Sequence, residues 1–140
     1  MDRVVLVTGG SKGIGRSVAL ALAEPETVVA VNYRSDEQGA ASVADEVGRR
    51  GATGVPLRAD VTDMNQVRSM VDSVLSRYRR IDVLVNNAGG SRDALLAFMS
   101  QDDWDSVLDV NRKSVFQCCK AVVRPMMAQR RGAIVKPRHG

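Results

Sequence analysis

The 140-residue chain predicts an α/β fold: a doubly wound parallel sheet of about five strands with helices on both faces. Three observations predict it. Short β-branched apolar runs alternate with segments whose apolar residues recur at helical spacing. A glycine-rich turn, Thr8-Gly9-Gly10-Ser11-Lys12-Gly13-Ile14-Gly15-Arg16, joins the first apolar run to the first helix. Hydrophobic residues make up 44% and charged residues 26%, the balance of a globular domain with a real core.

The elements follow in order. The first strand is expected over residues 4–7, all apolar. The first helix starts near Gly13, carries Ile14, Val18 and Leu22 at i, i+4, i+8, and ends before Pro25, because the residue preceding a proline disfavours the helical region. A second strand covers 27–33, with Val28, Val29 and Val31 inside it. Ser35-Asp36-Glu37-Gln38 fits a capping box opening the second helix. A short third strand lies at about 53–57, and the third helix carries Val67, Met70, Val71, Val74, Leu75 and Tyr78 as one apolar stripe. The fourth strand is expected at 81–85. Ser100-Gln101-Asp102-Asp103 caps a long helix running to about Gln129, and a fifth strand at 133–135 closes the readable pattern. Residues 1–135 thus form one domain and 136–140 an off-pattern tail; no repeat, linker or low-complexity segment interrupts it.

No apolar run approaches the roughly 18 residues that span a membrane, and the first strand begins so early that no room is left for a signal peptide. Cys118 and Cys119 are adjacent on a predicted helix, where neighbours point apart, so a mutual disulfide is not expected and a reduced, cytoplasmic setting is. The net charge of +4 admits a nucleic-acid partner on charge alone. However, the basic clusters Arg77-Tyr78-Arg79-Arg80 and Arg130-Arg131 sit at predicted helix C-termini, where cations are favoured, and aromatics at 4% are not interleaved with them. Neither a nucleic-acid nor a membrane partner is expected, and no metal site.

The chemistry gathers at the carboxyl ends of the strands, where open parallel sheets bind ligands. A strand, a glycine turn and a helix N-terminus make an anion site, since backbone N–H groups and the helix dipole converge there. Gly9, Gly13 and Gly15, lacking Cβ, let the backbone turn sharply and approach a pyrophosphate. Their spacing, G-x3-G-x-G, on its own is also that of a tight strand-to-helix connection. At the end of the second strand a carboxylate would hold the 2′-hydroxyl of NAD; Asn32-Tyr33-Arg34-Ser35 stands there instead, and Arg34 can pair with a 2′-phosphate, with Lys12 and Arg16 adding positive charge. Arg34 as a solvated loop arginine is the alternative. Asp60, before Val61, can accept from an adenine amino group, or Asp60, Thr62 or Asp63 can simply cap the third helix. Asn86-Asn87-Ala88-Gly89 closes the fourth strand with small and amide residues that leave room for a ligand.

Taken together, the glycine turn, Asp60-Val61, Asn86-Asn87-Ala88-Gly89 and Asp109-Val110-Asn111 resemble the short-chain dehydrogenase/reductase family, over residues 3 to about 135. Arg34 and Ser91-Arg92-Asp93-Ala94-Leu95-Leu96 resemble its NADPH-dependent 3-oxoacyl-(acyl-carrier-protein) reductases; sugar, acetoacetyl and polyketide reductases look similar. The resemblance implies a Rossmann-like sheet and NADP(H) as cofactor. Gly9, Ser11, Gly13, Ile14 and Gly15 would lie around the pyrophosphate, with Lys12 also binding cofactor beside the turn, Arg34 at the 2′-phosphate, and Asp60 and Val61 at adenine. Asn87, Ala88 and Gly89 would flank the nicotinamide ribose, and Asn111 would steady a water in a proton relay. The parent reaction would reduce a 3-oxoacyl thioester to the 3-hydroxyacyl thioester.

The family's proton donor is a tyrosine whose pKa, near 10 when unperturbed, is lowered by a lysine four residues on, beside a serine that orients the carbonyl. Four residues after Tyr33 stands Glu37, and four after Tyr78 stands Asp82, so neither makes the pair; His139, the sole histidine, lies in the tail. Arg112 stands where the family often has an apolar residue. After Val135 the composition turns abruptly basic, Lys136-Pro137-Arg138-His139-Gly140. The expectation is therefore a C-terminally truncated or frame-shifted reductase: cofactor half kept, proton-transfer half missing, inactive alone, its sheet incomplete at the C-terminal side. An exposed fifth strand and a long helix bearing Val115, Phe116, Cys119, Val122, Val123 and Met126 then predict a homo-oligomer or an aggregation-prone chain. A non-catalytic nucleotide-binding or oligomer-partner module is the rival reading.

Overall fold

A computed structural model describes residues 3–87 and 101–137, with backbone alone over 101–111. Among the described residues nine elements alternate: β1 (Arg3–Val7), α1 (Gly13–Ala21), β2 (Thr27–Tyr33), α2 (Glu37–Arg49), β3 (Thr53–Arg58), α3 (Met64–Tyr78), β4 (Val83–Val85), α4 (Gln101–Gln129) and β5 (Ala133–Val135). The strands form one wholly parallel sheet in the order β3-β2-β1-β4-β5. The chain winds outward from β1 through β2 to β3, then crosses back to β4, so the winding reverses between β1 and β4. In open parallel sheets, ligands bind at the carboxyl ends of the strands beside such a reversal.

Period-2 alternation divides the core between two faces. Val4, Leu6, Val28, Ala30, Val55 and Leu84 face α3 and α4, meeting Val67, Met70, Val71 and Val74 of the former and Cys118, Val122 and Met126 of the latter. Val5, Val7, Val29, Val31 and Val85 face α1 and α2, meeting Ala19, Leu20, Ala40, Val43 and Val47. Burial on both sides explains why β1, β2 and β4 read as apolar runs; edge strand β3, only partly buried, does not. Among the described residues, no helix is long and apolar enough to cross a membrane. At the sheet's margins, Pro56 stands in edge strand β3 beside Val31, and all three residues of β5 are exposed.

Some local expectations are corrected. In α1, Ile14 is 42% exposed; the buried face is Gly15, Ala19 and Leu20, of which the first two are small enough to let the helix sit close to the sheet. The cap of α2 is Asp36 rather than Ser35: its Oδ1 accepts from the Gly39 amide at 3.0 Å, and a Cβ on Gly39 would lie 2.1 Å from Asp36 Oδ2. Strand β4 starts at Val83, not Ile81, because the Gln129 side chain takes both peptide groups of Ile81, accepting from its N–H at 3.1 Å and donating to its carbonyl at 2.9 Å. Strand β3 runs one residue further, to Arg58.

Beneath the sheet's amino edge, buried Asp82 accepts from the Val4 amide at 2.8 Å and from Arg80 Nε and Nη2. Burial alone would raise its pKa, but the Arg80 and Val4 bonds outweigh burial and hold the carboxyl below its ordinary value.

Candidate functional site

The turn from β1 into α1 is built around two different needs for glycine. Gly9 and Gly13 adopt φ of 59° and 62°, a left-handed conformation that side chains disfavour. Gly15 answers to space: a Cβ there would stand 2.2 Å from the Gly9 carbonyl oxygen and 2.5 Å from Asn87 Nδ2. Helix α1 then begins with Lys12 at its N-cap, with no side-chain cap and no acidic residue in its first turn. Asp36 caps α2 and Asp63 caps α3, so among these three helices α1 alone leaves its first amides without a side-chain acceptor. Lys12, Arg16 and Ile14 are exposed beside that opening, and Ser11 is half-buried. Ile14, expected on the buried face, instead stands exposed in the first turn of α1.

Arg34 and Asp60 meet at the ends of β2 and β3, with Arg34 Nε 4.0 Å from Asp60 Oδ2. Asp60 Oδ1 accepts from the Thr62 hydroxyl at 2.6 Å and the Thr62 amide at 3.0 Å. Those two bonds, the hydroxyl's first, hold the Asp60 carboxyl below the usual carboxylate range; burial opposes them, and the Arg34 charge adds to them. The cap of α3 is Asp63, which accepts from the amides of Asn65 and Gln66, so Asp60 is free of that duty. Arg34 itself is 80% exposed and extends over the edge. Val61 is buried in the core cluster that α3 covers.

The end of β4 is stitched to the glycine turn. The Asn87 amide donates to Thr8 Oγ1 at 3.0 Å, and Asn87 Nδ2 donates to the Gly9 carbonyl at 3.0 Å. Asn87 Oδ1 is buried and has no hydrogen-bond partner among the described residues. Asn86 is buried behind it, its amide donating to the Val135 carbonyl and its Nδ2 to Cys119 Sγ at 3.4 Å. The expected site residues Ala88 and Gly89 lie outside the described residues. Asn111 falls within helix α4, but its side chain lies outside them.

One residue of the site escapes sequence reasoning as a functional group. Asn32, 2% exposed, accepts at Oδ1 from the Gly9 amide at 3.1 Å and donates from Nδ2 to the carbonyls of Leu57 and Ala59 at 3.3 and 3.2 Å. The only signal was an amide in an otherwise apolar strand interior. Elsewhere, burial pushes the Cys118 thiol up to about 12, and both cysteines are free thiols. Among the described residues no cluster of His, Cys, Asp and Glu could hold a metal. An apolar groove between α3 and α4, lined by Leu75, Phe116, Val123 and Met127, lies on the helical layer rather than at the strand ends.

A family model described as short chain dehydrogenase matches residues 3–136. The 3-oxoacyl-(acyl-carrier-protein) reductase FabG of Staphylococcus aureus is 44% identical over 135 residues, covering 96% of this chain and 55% of that protein. The crystal structure of a short-chain type dehydrogenase/reductase from Mycobacterium marinum superposes with a TM-score of 0.83 at 36% identity, covering 96% of this chain and 53% of that one. NAD+-bound xylitol dehydrogenase gives 0.85 at 34% identity, with 96% and 52% covered. The chain thus spans about half the length of the relatives it matches.

Proposed function

On the premise that the chain belongs to the short-chain dehydrogenase family, we propose that it is the cofactor-binding portion of an NADP(H)-dependent reductase. The observation that carries this reading is the uncapped N-terminus of α1, with Lys12 at its cap and no first-turn acid. Its free amides and dipole suit a pyrophosphate. Gly15 leaves the space that a Cβ would fill, and buried Asn87 Oδ1 is an acceptor without a donor among the described residues. The residues present therefore fit a dinucleotide.

In this reading Gly9, Ser11, Lys12, Gly13, Ile14 and Gly15 hold the pyrophosphate. Arg34 grips the 2′-phosphate with its guanidinium fork. Asp60, kept ionised by Thr62, accepts from the adenine amino group, and the Val61 backbone lies against the ring. Asn87, Ala88 and Gly89 flank the nicotinamide ribose, and Asn111 orders a water for proton delivery. The nicotinamide, when bound, supplies hydride to a carbonyl. The parent substrate is a 3-oxoacyl thioester, as the name of the 44% identical relative suggests. These residues by themselves contain no Tyr-x-x-x-Lys pair. Without a positioned acid the chemical step forfeits a factor of about 10²–10⁴, so residues 1–135 bind cofactor as one unit but turn over little. Unpaired Cys118 and Cys119 suit a reducing cytoplasm.

The likeness to xylitol dehydrogenase favours a second reading, a polyol or sugar substrate with NAD. Titration with NADPH and NADH, followed by cofactor fluorescence, separates the two. Tighter NADPH binding supports the first; tighter NADH binding removes the role given to Arg34; binding of neither removes the cofactor site altogether.

A further inference from the structure

We propose that Asn32 is a positioning residue that sets cofactor affinity by tying the glycine turn to the loop after β3; the proposal rests on the dinucleotide reading above. A buried position in a parallel strand favours a β-branched apolar residue, and the neighbours of Asn32 in β2 are Val31, Ala30 and Val29. An amide there needs partners, and it has them in two directions. Toward β1, Oδ1 accepts from the Gly9 amide at 3.1 Å while the Asn32 carbonyl accepts from Gly10 at 2.9 Å. Toward β3, Nδ2 donates to Leu57 and Ala59 at 3.3 and 3.2 Å.

The turn on one side is the pyrophosphate end of the crevice, and the loop on the other carries Asp60 and faces Arg34. Asn32 therefore fixes the separation of the two ends that a dinucleotide must reach together. Asparagine supplies an acceptor for one loop and a donor for the other within a single planar group. Aspartate would keep the acceptor and turn the donor into a second acceptor aimed at two carbonyls. Leucine, of similar size, would supply neither.

The test is binding of NADP+ to the 140-residue chain, with Asn32→Asp and Asn32→Leu beside it, each checked for folded state by circular dichroism. At pH 8 both variants are expected to bind NADP+ roughly ten-fold or more weakly than the parent. As pH falls to about 5.5, Asn32→Asp is expected to recover toward the parent measured at the same pH, because a protonated carboxyl regains the O–H donor; burial places that protonation above the ordinary carboxylate value. Asn32→Leu, carrying no charge to repel phosphate, stays weak throughout. A merely structural role would lower the melting temperature and leave the ratio of affinities at the two pH values unchanged. Binding of NADP+ by folded Asn32→Leu within two-fold of the parent would overturn the proposal. Should that variant not fold, Asn32→Ser carries the same expectation and the same refutation. A parent chain that binds no NADP+ sinks the dinucleotide reading instead.

Discussion

Asn87 donates from Nδ2 to the Gly9 carbonyl at 3.0 Å, and Gly15 lies so close to that bond that a Cβ would stand within 2.5 Å of both partners. The bond holds the end of β4 against the glycine turn, across the reversal of the sheet. Gly15→Ala is expected to break it, costing about 1–3 kcal/mol of stability through overpacking and abolishing measurable NADPH binding. A urea titration and a fluorescence titration read the two effects; an alanine variant with parental affinity would refute the close fit.

Arg34 is exposed and reaches Asp60 only across 4.0 Å, so little holds it when a phosphate is present. Charge-assisted hydrogen bonds contribute about 1.5–3 kcal/mol. Arg34→Ala should therefore weaken NADPH binding by about 10–100-fold and leave NADH within a few-fold. Equal losses for both cofactors would assign Arg34 to something other than the 2′-phosphate.

Asp82, buried with Arg80 and the Val4 amide, has a carboxyl pKa depressed in the fold. A depressed carboxylate contributes stability that is full above the unfolded-state pKa, near 3.9, and lost as pH falls through the lower folded value. Denaturant midpoints should thus be flat above about pH 5 and decline below about pH 4. Asp60 has the same direction of shift and adds to the decline. Asp82→Asn should cost about 2 kcal/mol near neutrality and make the acid limb shallower. An unchanged limb would show that the pair contributes nothing to folding.

Helix α3 ends on Arg79, whose φ of 69° is left-handed, the place where glycine most often stands. Arg79→Gly should raise stability by about 0.5–1 kcal/mol with no effect on cofactor binding. Thermal unfolding reads it; a lower melting temperature would mean that the Arg79 side chain contributes more than its backbone costs.

How much of this was legible in the sequence depended on the range of the physics. The glycine turn could be read directly, because Gly9 and Gly13 answer to local backbone geometry. The runs of β1 and β2 were legible because both faces are buried; β5, though exposed, also has the expected limits, as β2 does. What failed to read was tertiary. Asn32 finds its acceptors 25 and 27 residues away, and Gln129 finds Ile81 at a distance of 48, spacings that no local pattern marks. Ile14 kept the helical period yet faces outward, because the face of α1 set against the sheet is Gly15, Ala19 and Leu20, one position on from the i, i+4, i+8 stripe of Ile14, Val18 and Leu22.

The sheet's two margins are unequal. On one side Pro56 offers no N–H, which discourages a further strand from docking there. On the other, Ala133, Ile134 and Val135 of β5 are exposed; the Ala133 amide is taken by the Asp82 carbonyl, and only the outward peptide groups of the strand are left to pair. A further strand would therefore dock more readily beyond β5, where it would extend the ladder on the same flank as Asn86, whose amide reaches Val135.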